Sequence, residues 1–270
     1  REVSEKLVTD SRVGFFSFIG SPDVGWMLRS KLAPGTRCAL EHGGAAPVIV
    51  APDADLDVTM PLLAKGGFYH AGQVCVSVQR VFAHDSIARE VAAQIGELGS
   101  KMPIGDPTLA STEIGPLIRT KECDRVAEWI KAAADSGAEI VAGGHRVSDS
   151  CHEATVLYNP PTDALVSQRE IFGPAVCVYP YSDIDEAIGR ANSLPYIFQA
   201  AVCTKDMDTA MRCFRRLDAS AVMVNDHTAF RVDWMPFAGL RQSGYNIGGI
   251  HHTIHDMQIE KMLVIRSPEL

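Results

Sequence analysis

Short apolar runs alternate with segments of helical spacing along most of this 270-residue chain. A continuous apolar run bounded by Gly or Pro is typical of a buried strand, and apolar residues every three to four positions are typical of a helix. A predicted buried strand at 13–19 precedes a predicted helix at 23–32, and an apolar run at 48–50 precedes helical spacing over 53–66. This alternation predicts an α/β fold.

The same alternation continues to the end of the chain. Further predicted strands cover 37–40, 78–83, 138–141, 198–203, 221–224 and 258–265, and further predicted helices cover 86–98, 122–136, 184–191 and 207–214. Ser182 is the predicted N-cap of the helix at 184–191. In the helix at 207–214, Met207, Ala210, Met211 and Phe214 mark an apolar face, and the spacing of the methionines predicts that they belong to the core.

Composition narrows the class of protein. The apolar fraction is 46%, which is ample for a core, and the formal net charge of −8 argues against a nucleic-acid or anionic-membrane surface. No apolar run approaches the ~18 residues of a membrane span. Seven cysteines without clustered spacing suit a reducing compartment. We therefore predict a cytoplasmic protein with no nucleic-acid and no membrane partner.

Two short stretches carry candidate chemistry. Cys75 follows a flexible Ala-Gly-Gln segment and precedes an alternating apolar run that includes Val76 and Val78. Glu41 lies just before Gly43-Gly44 and the apolar run that follows. A thiol and a carboxylate beside glycine-permitted turns form a candidate nucleophile and base. The ordinary alternative is that Cys75 is an inert buried cysteine, as most cysteines are.

These stretches resemble signatures of the aldehyde dehydrogenase superfamily, and two later stretches extend the resemblance in the same order. They are Glu170-Ile171-Phe172-Gly173-Pro174 and Pro236-Phe237-Ala238-Gly239-Leu240-Arg241-Gln242-Ser243-Gly244. The chain departs from the family pattern at His42, where the family has leucine, and at Ile19, Ala45, Ala238 and Arg241.

The resemblance covers essentially the whole chain and implies its organisation. It implies an α/β fold with a three-layer α/β/α catalytic domain at 44–249, a remnant of a Rossmann-like cofactor domain at 1–43 and an oligomerisation tail at 250–270. It also implies that the chain is a fragment, the downstream part of a protein nearly twice as long. The expected assembly is a homo-oligomer, either a dimer or a tetramer.

The resemblance further implies an oxidoreductase that converts an aldehyde to a carboxylic acid with NAD or NADP. The Cys75 thiolate would attack the aldehyde to form a thiohemiacetal and then a thioester, and Glu41 would activate the water that hydrolyses it. Ser21 would lie against the cofactor pyrophosphate, Glu170 would bind the nicotinamide ribose, and Phe172 would pack near the nicotinamide ring. A hydrogen-bond donor or helix terminus near Cys75 would lower the pKa of its thiol.

The substrate pocket would hold a small aldehyde. The resemblance assigns Phe237 to the pocket wall and Val74 to the position before the nucleophile. Arg231 would meet an anionic group on the substrate, with a structural pairing to Asp233 as the alternative. His251 and His255 have the spacing of a helical metal pair, but no third ligand accompanies them, and we predict no metal site.

Two alternative functions remain open from the sequence. The chain could be a non-catalytic module that oligomerises through its tail, or a Cys/Glu thiol hydrolase acting on esters or thioesters. The hydrolase requires no cofactor residue, so the Glu170 motif speaks against it. A serine hydrolase is disfavoured because no Gly-x-Ser-x-Gly turn occurs.

Overall fold

The structure, a computed structural model that describes residues 2–269, alternates strands and helices along the chain. The strands are β1 (Phe15–Ile19), β2 (Arg37–Glu41), β3 (Ala46–Val50), β4 (Val78–His84), β5 (Glu139–Ala142), β6 (Thr155–Tyr158), β7 (Ala175–Tyr181), β8 (Tyr196–Ile197), β9 (Gln199–Cys203), β10 (Ala221–Val224), β11 (Leu240–Arg241) and β12 (Gly244–Tyr245). The helices are α1 (Glu2–Val8), α2 (Pro22–Arg29), α3 (Leu56–Phe68), α4 (Ala88–Ser100), α5 (Thr120–Asp135), α6 (Leu165–Gln168), α7 (Ile184–Ala191), α8 (Met207–Arg216) and α9 (Ile250–Met257), and a 3₁₀ helix covers Tyr69–Gly72.

A seven-stranded sheet forms the centre of the fold, with strand order β10-β9-β3-β4-β7-β6-β5. Every neighbouring pair is parallel except β5 with β6. Val48, Ile49 and Val50 of β3 are completely buried. Since helices cover both faces of a parallel sheet, its strands contain continuous apolar runs instead of alternating ones.

Helices lie on both faces of this sheet. The connection from β3 through α3 to β4 and the connection from β7 through α7 to β9 run in opposite directions across the strand order. Right-handed crossovers therefore place α3 and α7 on opposite faces. The predicted three-layer α/β/α architecture is confirmed.

A smaller sheet joins the two ends of the chain. β2 lies in its middle, parallel to β1 and antiparallel to β12. The pairs Gly244 with Glu41 and Tyr245 with Leu40 thus cross the predicted domain boundary at residue 43. The division into three domains stays a prediction.

Two local predictions were wrong, and one strand was missed. β1 forms as expected but is not buried, because Ile19 is 76% exposed and no described element covers its outer face. The N-cap of α7 is Asp183, whose side chain accepts a hydrogen bond from the Asp185 N–H, and not Ser182. β6 was missed, although Val156 and Leu157 are completely buried, because it has only four residues.

The apolar face predicted for α8 is only partly confirmed, because Ala210 is buried but the larger apolar side chains are not. Met207 is 71% exposed and Phe214 is 57% exposed, while Ala210 and Cys213 face the sheet. Two stripes on this helix have helical spacing, and the one with smaller side chains packs against the sheet. Periodicity predicts a helix, but it does not decide which of two stripes is buried.

The predicted strand at 258–265 does not form within residues 2–269. The segment is extended, and Ile259, Met262 and Leu263 are each at least 80% exposed. An extended segment becomes a strand only when a neighbouring strand completes its hydrogen bonds. His251 and His255 are exposed on α9. Among the described helices, none is both long and apolar enough to cross a membrane.

Candidate active site

A left-handed turn carries the chain from α3 to Cys75. His70 and Ala71 have positive φ angles of 51° and 55°, and Gly72 has a φ of 67°. A Cβ at position 72 would overlap the carbonyl oxygen of Gly173, so only glycine fits there. The turn reverses the chain within four residues, which places Cys75 between the end of α3 and the start of β4.

Side-chain hydrogen bonds fix the Cys75 loop. The Gln73 amide donates to the Pro116 carbonyl at 3.2 Å and accepts from the Ile118 N–H at 2.9 Å. The Thr228 hydroxyl donates to the Val76 carbonyl at 2.7 Å. The Pro-Leu-Ile segment at 116–118 therefore anchors the loop that bears the predicted nucleophile.

Glu41 is the last residue of β2 and is partly buried. Its carboxylate lies against Gly248, where a Cβ would overlap Oε1. Gly248 is itself held by hydrogen bonds in both directions with the Phe237 backbone. Burial raises the pKa of the Glu41 carboxyl, and the charge of Arg231 partly offsets that rise. A raised pKa is compatible with the predicted role of general base.

His42 points away from Glu41, towards α2. Its ring is buried edge-on to Trp26, and its Nδ1 lies 2.8 Å from the Gln242 carbonyl oxygen. Its backbone N–H donates to the Ser243 carbonyl at 2.9 Å. At this departure from the family pattern, the side chain therefore packs against α2.

Glu170 lies on the Gly43-Gly44 turn. Its Oε1 accepts a hydrogen bond from the Gly44 N–H at 3.1 Å, and a Cβ on Gly43 would overlap its carboxylate. Burial raises the pKa of the Glu170 carboxyl to about 7, and the Gly44 N–H and Arg125 oppose that rise. Within residues 2–269, Oε2 accepts no hydrogen bond, so one carboxylate oxygen is left for a hydroxyl ligand.

The other two predicted cofactor residues lie at surface positions. Ser21 is exposed at the N-terminus of α2, and its side chain makes no capping hydrogen bond. A helix N-terminus with a free hydroxyl suits an anionic phosphate. Phe172 is 38% exposed, with a φ of 48°, directly after the Glu170 segment. These positions and the free Oε2 of Glu170 fit a dinucleotide, which has both an anionic pyrophosphate and ribose hydroxyls.

Cys75 lies in the field of both carboxylates. Burial raises the pKa of its thiol to about 11, and the charges of Glu170 and Glu41 add to that rise. The N–H groups of Cys75 and Val76 oppose it, but they do not outweigh burial. The expected donors are thus present and act in the expected direction, but the pKa is raised overall because a local motif does not report desolvation. The structure does bring Cys75, Glu41 and Glu170 together from three separate segments.

An apolar cluster lies beside Cys75. Phe198 and Phe237 pack with their ring centroids 4.5 Å apart, and Val76, Val74, Cys75 and Ala229 complete the cluster. The guanidinium carbon of Arg231 lies 4.4 Å from the centroid of the Phe237 ring. The three predicted pocket residues Val74, Phe237 and Arg231 thus meet beside the predicted nucleophile. Arg231 makes no ion pair within 2–269, which removes the alternative of a pairing with Asp233.

Sequence reasoning missed two residues of this site. Burial raises the pKa of the Tyr69 phenol, and the charge of Cys75 adds to the rise, so the phenol lies within electrostatic reach of the thiol. The signal was its place in the Cys75 motif, before the left-handed turn. Phe198 precedes β9 and meets Phe237 only through the tertiary fold, so no sequence signal could have identified it.

A mainly parallel α/β sheet that brings a thiol and two carboxylates together beside Gly43 and Gly44 is the arrangement of an α/β enzyme. Comparison with known proteins identifies the family. The sequence model described as "Aldehyde dehydrogenase family" matches residues 1–263. The chain belongs to the aldehyde dehydrogenase family. It is 39% identical over 264 residues to the 3-sulfolactaldehyde dehydrogenase of Priestia aryabhattai, covering 98% of this chain and 55% of that protein. It is 33% identical to a lactaldehyde dehydrogenase of Methanococcus maripaludis, covering 98% of this chain and 56% of that protein.

Solved structures give the same result. Aldehyde dehydrogenase 21 of Physcomitrella patens, in complex with its reaction product succinate, superposes with a TM-score of 0.93 and 35% identity, covering 98% of this chain and 55% of that one. The glyceraldehyde-3-phosphate dehydrogenase GapN of Methanocaldococcus jannaschii, complexed with NADP, gives a TM-score of 0.90 and 32% identity, covering 94% of this chain and 55% of that one. The chain thus spans about half the length of the relatives it matches.

Proposed function

We propose that this protein oxidises an aldehyde to a carboxylic acid with NAD(P), using Cys75 as the nucleophile and Glu41 as the general base. The observation that carries the proposal is the convergence of one thiol and two carboxylates on a glycine turn, next to an apolar cluster. Family membership supports the same reaction class.

The proposed chemistry begins at the sulfur of Cys75. Its thiolate attacks the carbonyl carbon, so a C–S bond forms and the carbonyl oxygen becomes an oxyanion. The backbone N–H groups of Cys75 and Val76, which stabilise negative charge at this position, are the candidate donors to that oxyanion. NAD(P), when bound, supplies the acceptor for the hydride that leaves the carbon. The thioester that remains is attacked by water, whose proton passes to Glu41, and the C–S bond then breaks to release the acid and the thiolate.

Three residues would hold the parts of the dinucleotide. Glu170 would accept hydrogen bonds from the ribose hydroxyls through its free Oε2, since a carboxylate can accept from a vicinal diol. Ser21 would donate to the pyrophosphate at the N-terminus of α2. Phe172 would pack against the nicotinamide ring. The choice between NAD and NADP is not assigned to any of these residues.

We propose further that the aldehyde is short and carries an anionic group that Arg231 binds. Arg231 lies over Phe237, close enough to Glu41 to affect the pKa of that carboxyl, and it makes no ion pair among residues 2–269. An unpaired guanidinium at the edge of an apolar pocket suits a carboxylate or sulfonate. Two named relatives act on aldehydes that differ in this respect, since 3-sulfolactaldehyde carries a sulfonate and lactaldehyde does not.

That pair of aldehydes provides the test, in the complete natural protein. Cys75→Ala should abolish NAD(P)H formation from both. Arg231→Met should lower kcat/KM for 3-sulfolactaldehyde by about 10- to 100-fold, the effect of one lost charge-assisted contact, and change kcat/KM for lactaldehyde by less than about threefold. Turnover by Cys75→Ala would refute the nucleophile, and equal losses with both aldehydes would refute the role of Arg231.

The assembly and cellular location are also proposals. The exposed apolar tail from Ile259 to Ile265 has no pairing strand within residues 2–269, and we propose that it pairs with another copy in a homo-oligomer. The seven cysteines are all free thiols, which supports a reducing, cytoplasmic location. The division into cofactor-domain remnant (1–43), catalytic domain (44–249) and tail (250–270) is kept as part of the same proposal.

A further inference from the structure

We infer that Gln79 is a positioning residue that orients Glu170 for the cofactor, by fixing the backbone on both sides of it. The inference rests on the proposed function of Glu170 as the ribose ligand. Gln79 lies on β4 and is 5% exposed. No motif in the sequence marks it.

The Gln79 carboxamide binds both peptide groups that flank Glu170. Its Nε2 donates to the Arg169 carbonyl at 2.7 Å, and its Oε1 accepts from the Ile171 N–H at 2.9 Å. The same Nε2 donates to the Val166 carbonyl at 3.1 Å, at the end of the preceding helical turn. Gln79 therefore pairs with this segment as a neighbouring strand would, over the one residue whose side chain reaches the glycine turn.

A second side chain completes the restraint. Arg125 donates to the Ile171 carbonyl at 2.7 Å, so both the N–H and the carbonyl of Ile171 are held. The Glu170 carboxylate then reaches the Gly44 N–H on the opposite side of the site. The backbone is therefore held at Arg169 and at Ile171. The Glu170 carboxylate can then move away from Gly44 mainly by rotation of its own side chain.

A buried glutamine in this sheet does not need the hydrogen bonds that Gln79 makes to the Glu170 segment. Gln199 is equally buried, at 1% exposed, on β9 of the same sheet, and its Oε1 has no hydrogen-bond partner within 2–269. Gln199 makes no side-chain hydrogen bond to residues 166–172, whereas every hydrogen bond of the Gln79 side chain goes to that segment. Gln199 is thus a matched control for loss of a buried amide.

The test compares Gln79→Met, Gln79→Asn and Gln199→Met in the complete natural protein, alone and combined with Glu170→Gln. Three quantities are measured: the hydrogen-exchange rate of the 165–173 segment without cofactor, the Kd for NADH and for NADPH by fluorescence, and the KM for the aldehyde. The asparagine variant keeps an amide but retracts it by one methylene, so it serves if the methionine variant does not fold.

Both Gln79 variants should speed exchange at Ile171 at least tenfold and weaken the better-bound dinucleotide about tenfold, as expected for the loss of the hydrogen bonds that flank Glu170. The KM for the aldehyde should change less than about twofold, and Gln199→Met should leave all three quantities unchanged. In the Glu170→Gln background, the Gln79 variants should weaken dinucleotide binding no further.

The outcomes separate two failures. If Glu170→Gln weakens dinucleotide binding but the Gln79 variants do not, or if they weaken it equally in the Glu170→Gln background, the role of Gln79 is wrong and the proposed function stands. If Glu170→Gln itself leaves dinucleotide binding unchanged, the proposed ribose ligand is wrong, and the inference about Gln79 is overturned with it.

Discussion

The imidazole of His42 occupies the space beside Gly25, so that a Cβ at position 25 would overlap its Nε2. His42 follows Glu41 directly in the chain, and Gly25 lies in α2, the helix whose N-terminus carries Ser21. The contact therefore joins the predicted base to the predicted pyrophosphate site through a buried ring.

Gly25→Ala should destabilise the protein by about 1–3 kcal/mol, because the added methyl group overpacks a filled site. In an exposed helix the same change would stabilise by about 1 kcal/mol, so the sign of the effect is diagnostic. The measurement is urea unfolding of the single variant and of Gly25→Ala combined with His42→Ala. His42→Ala vacates the space that the added methyl group needs. The double variant should therefore lose about 1 kcal/mol or more less stability than the sum of the two single variants. Additive losses would contradict the contact.

Acid should destabilise the protein partly through His42. Burial lowers the pKa of His42, although its hydrogen bond to the Gln242 carbonyl opposes the shift. As pH falls below about 6.5, the unfolded chain takes up a proton that the folded ring binds only at lower pH, so the free energy of unfolding decreases. His42→Leu should reduce the loss measured between pH 7.5 and 5.5. His152 and His227 act in the same direction in both proteins, because burial also lowers their pKa, while the raised pKa of Glu170 acts in the opposite direction, so the comparison is the difference between the variant and the wild type.

The control for this measurement is His251→Gln, which changes an exposed side chain on α9. It should leave the acid dependence as in the wild type. If His42→Leu loses stability as steeply as the wild type does, His42 is not one of the groups that cause it.

The Cys75 thiol should react slowly near neutral pH in the absence of ligands. Burial and the charges of Glu170 and Glu41 raise its pKa to about 11, so alkylation should speed up about tenfold for each pH unit between 7 and 10. Glu41→Gln removes one of these charges and should speed alkylation at pH 8 by about two- to tenfold. Peptide-resolved mass spectrometry measures the rate, and Glu97→Gln, which changes an exposed side chain on α4, is the matched control. A rate that is already maximal at pH 7 would contradict this account.

Glu170→Gln should stabilise the ligand-free protein above neutral pH. Burial raises the pKa of the carboxyl to about 7, so its stabilising contribution is present below the unfolded pKa of about 4.5 and is lost as pH rises through about 7. The amide retains an acceptor for the Gly44 N–H and carries no charge. We expect the variant to exceed the wild type by about 1–3 kcal/mol at pH 8.5 and by little at pH 5, measured by urea unfolding. Equal differences at the two pH values would show that ionisation of Glu170 is not responsible.

Local patterns in the sequence predicted most of the secondary structure and the residues of the candidate site. Continuous apolar runs located β3, β4 and β9, because strands buried on both faces need no polar alternation. Glycine-bearing motifs located Cys75 and Glu41, because a close approach of two backbones excludes a Cβ and leaves a recognisable pattern.

Only the tertiary structure decided how these elements act on one another. The buried stripe of α8, the unpaired tail and the bond from Gln79 to the Glu170 segment each depend on residues distant in the chain. The same holds for the raised pKa of Cys75, which comes from desolvation and from charges on two other segments. Periodicity and motifs record local preference, whereas burial and electrostatic interaction depend on what the folded chain places nearby.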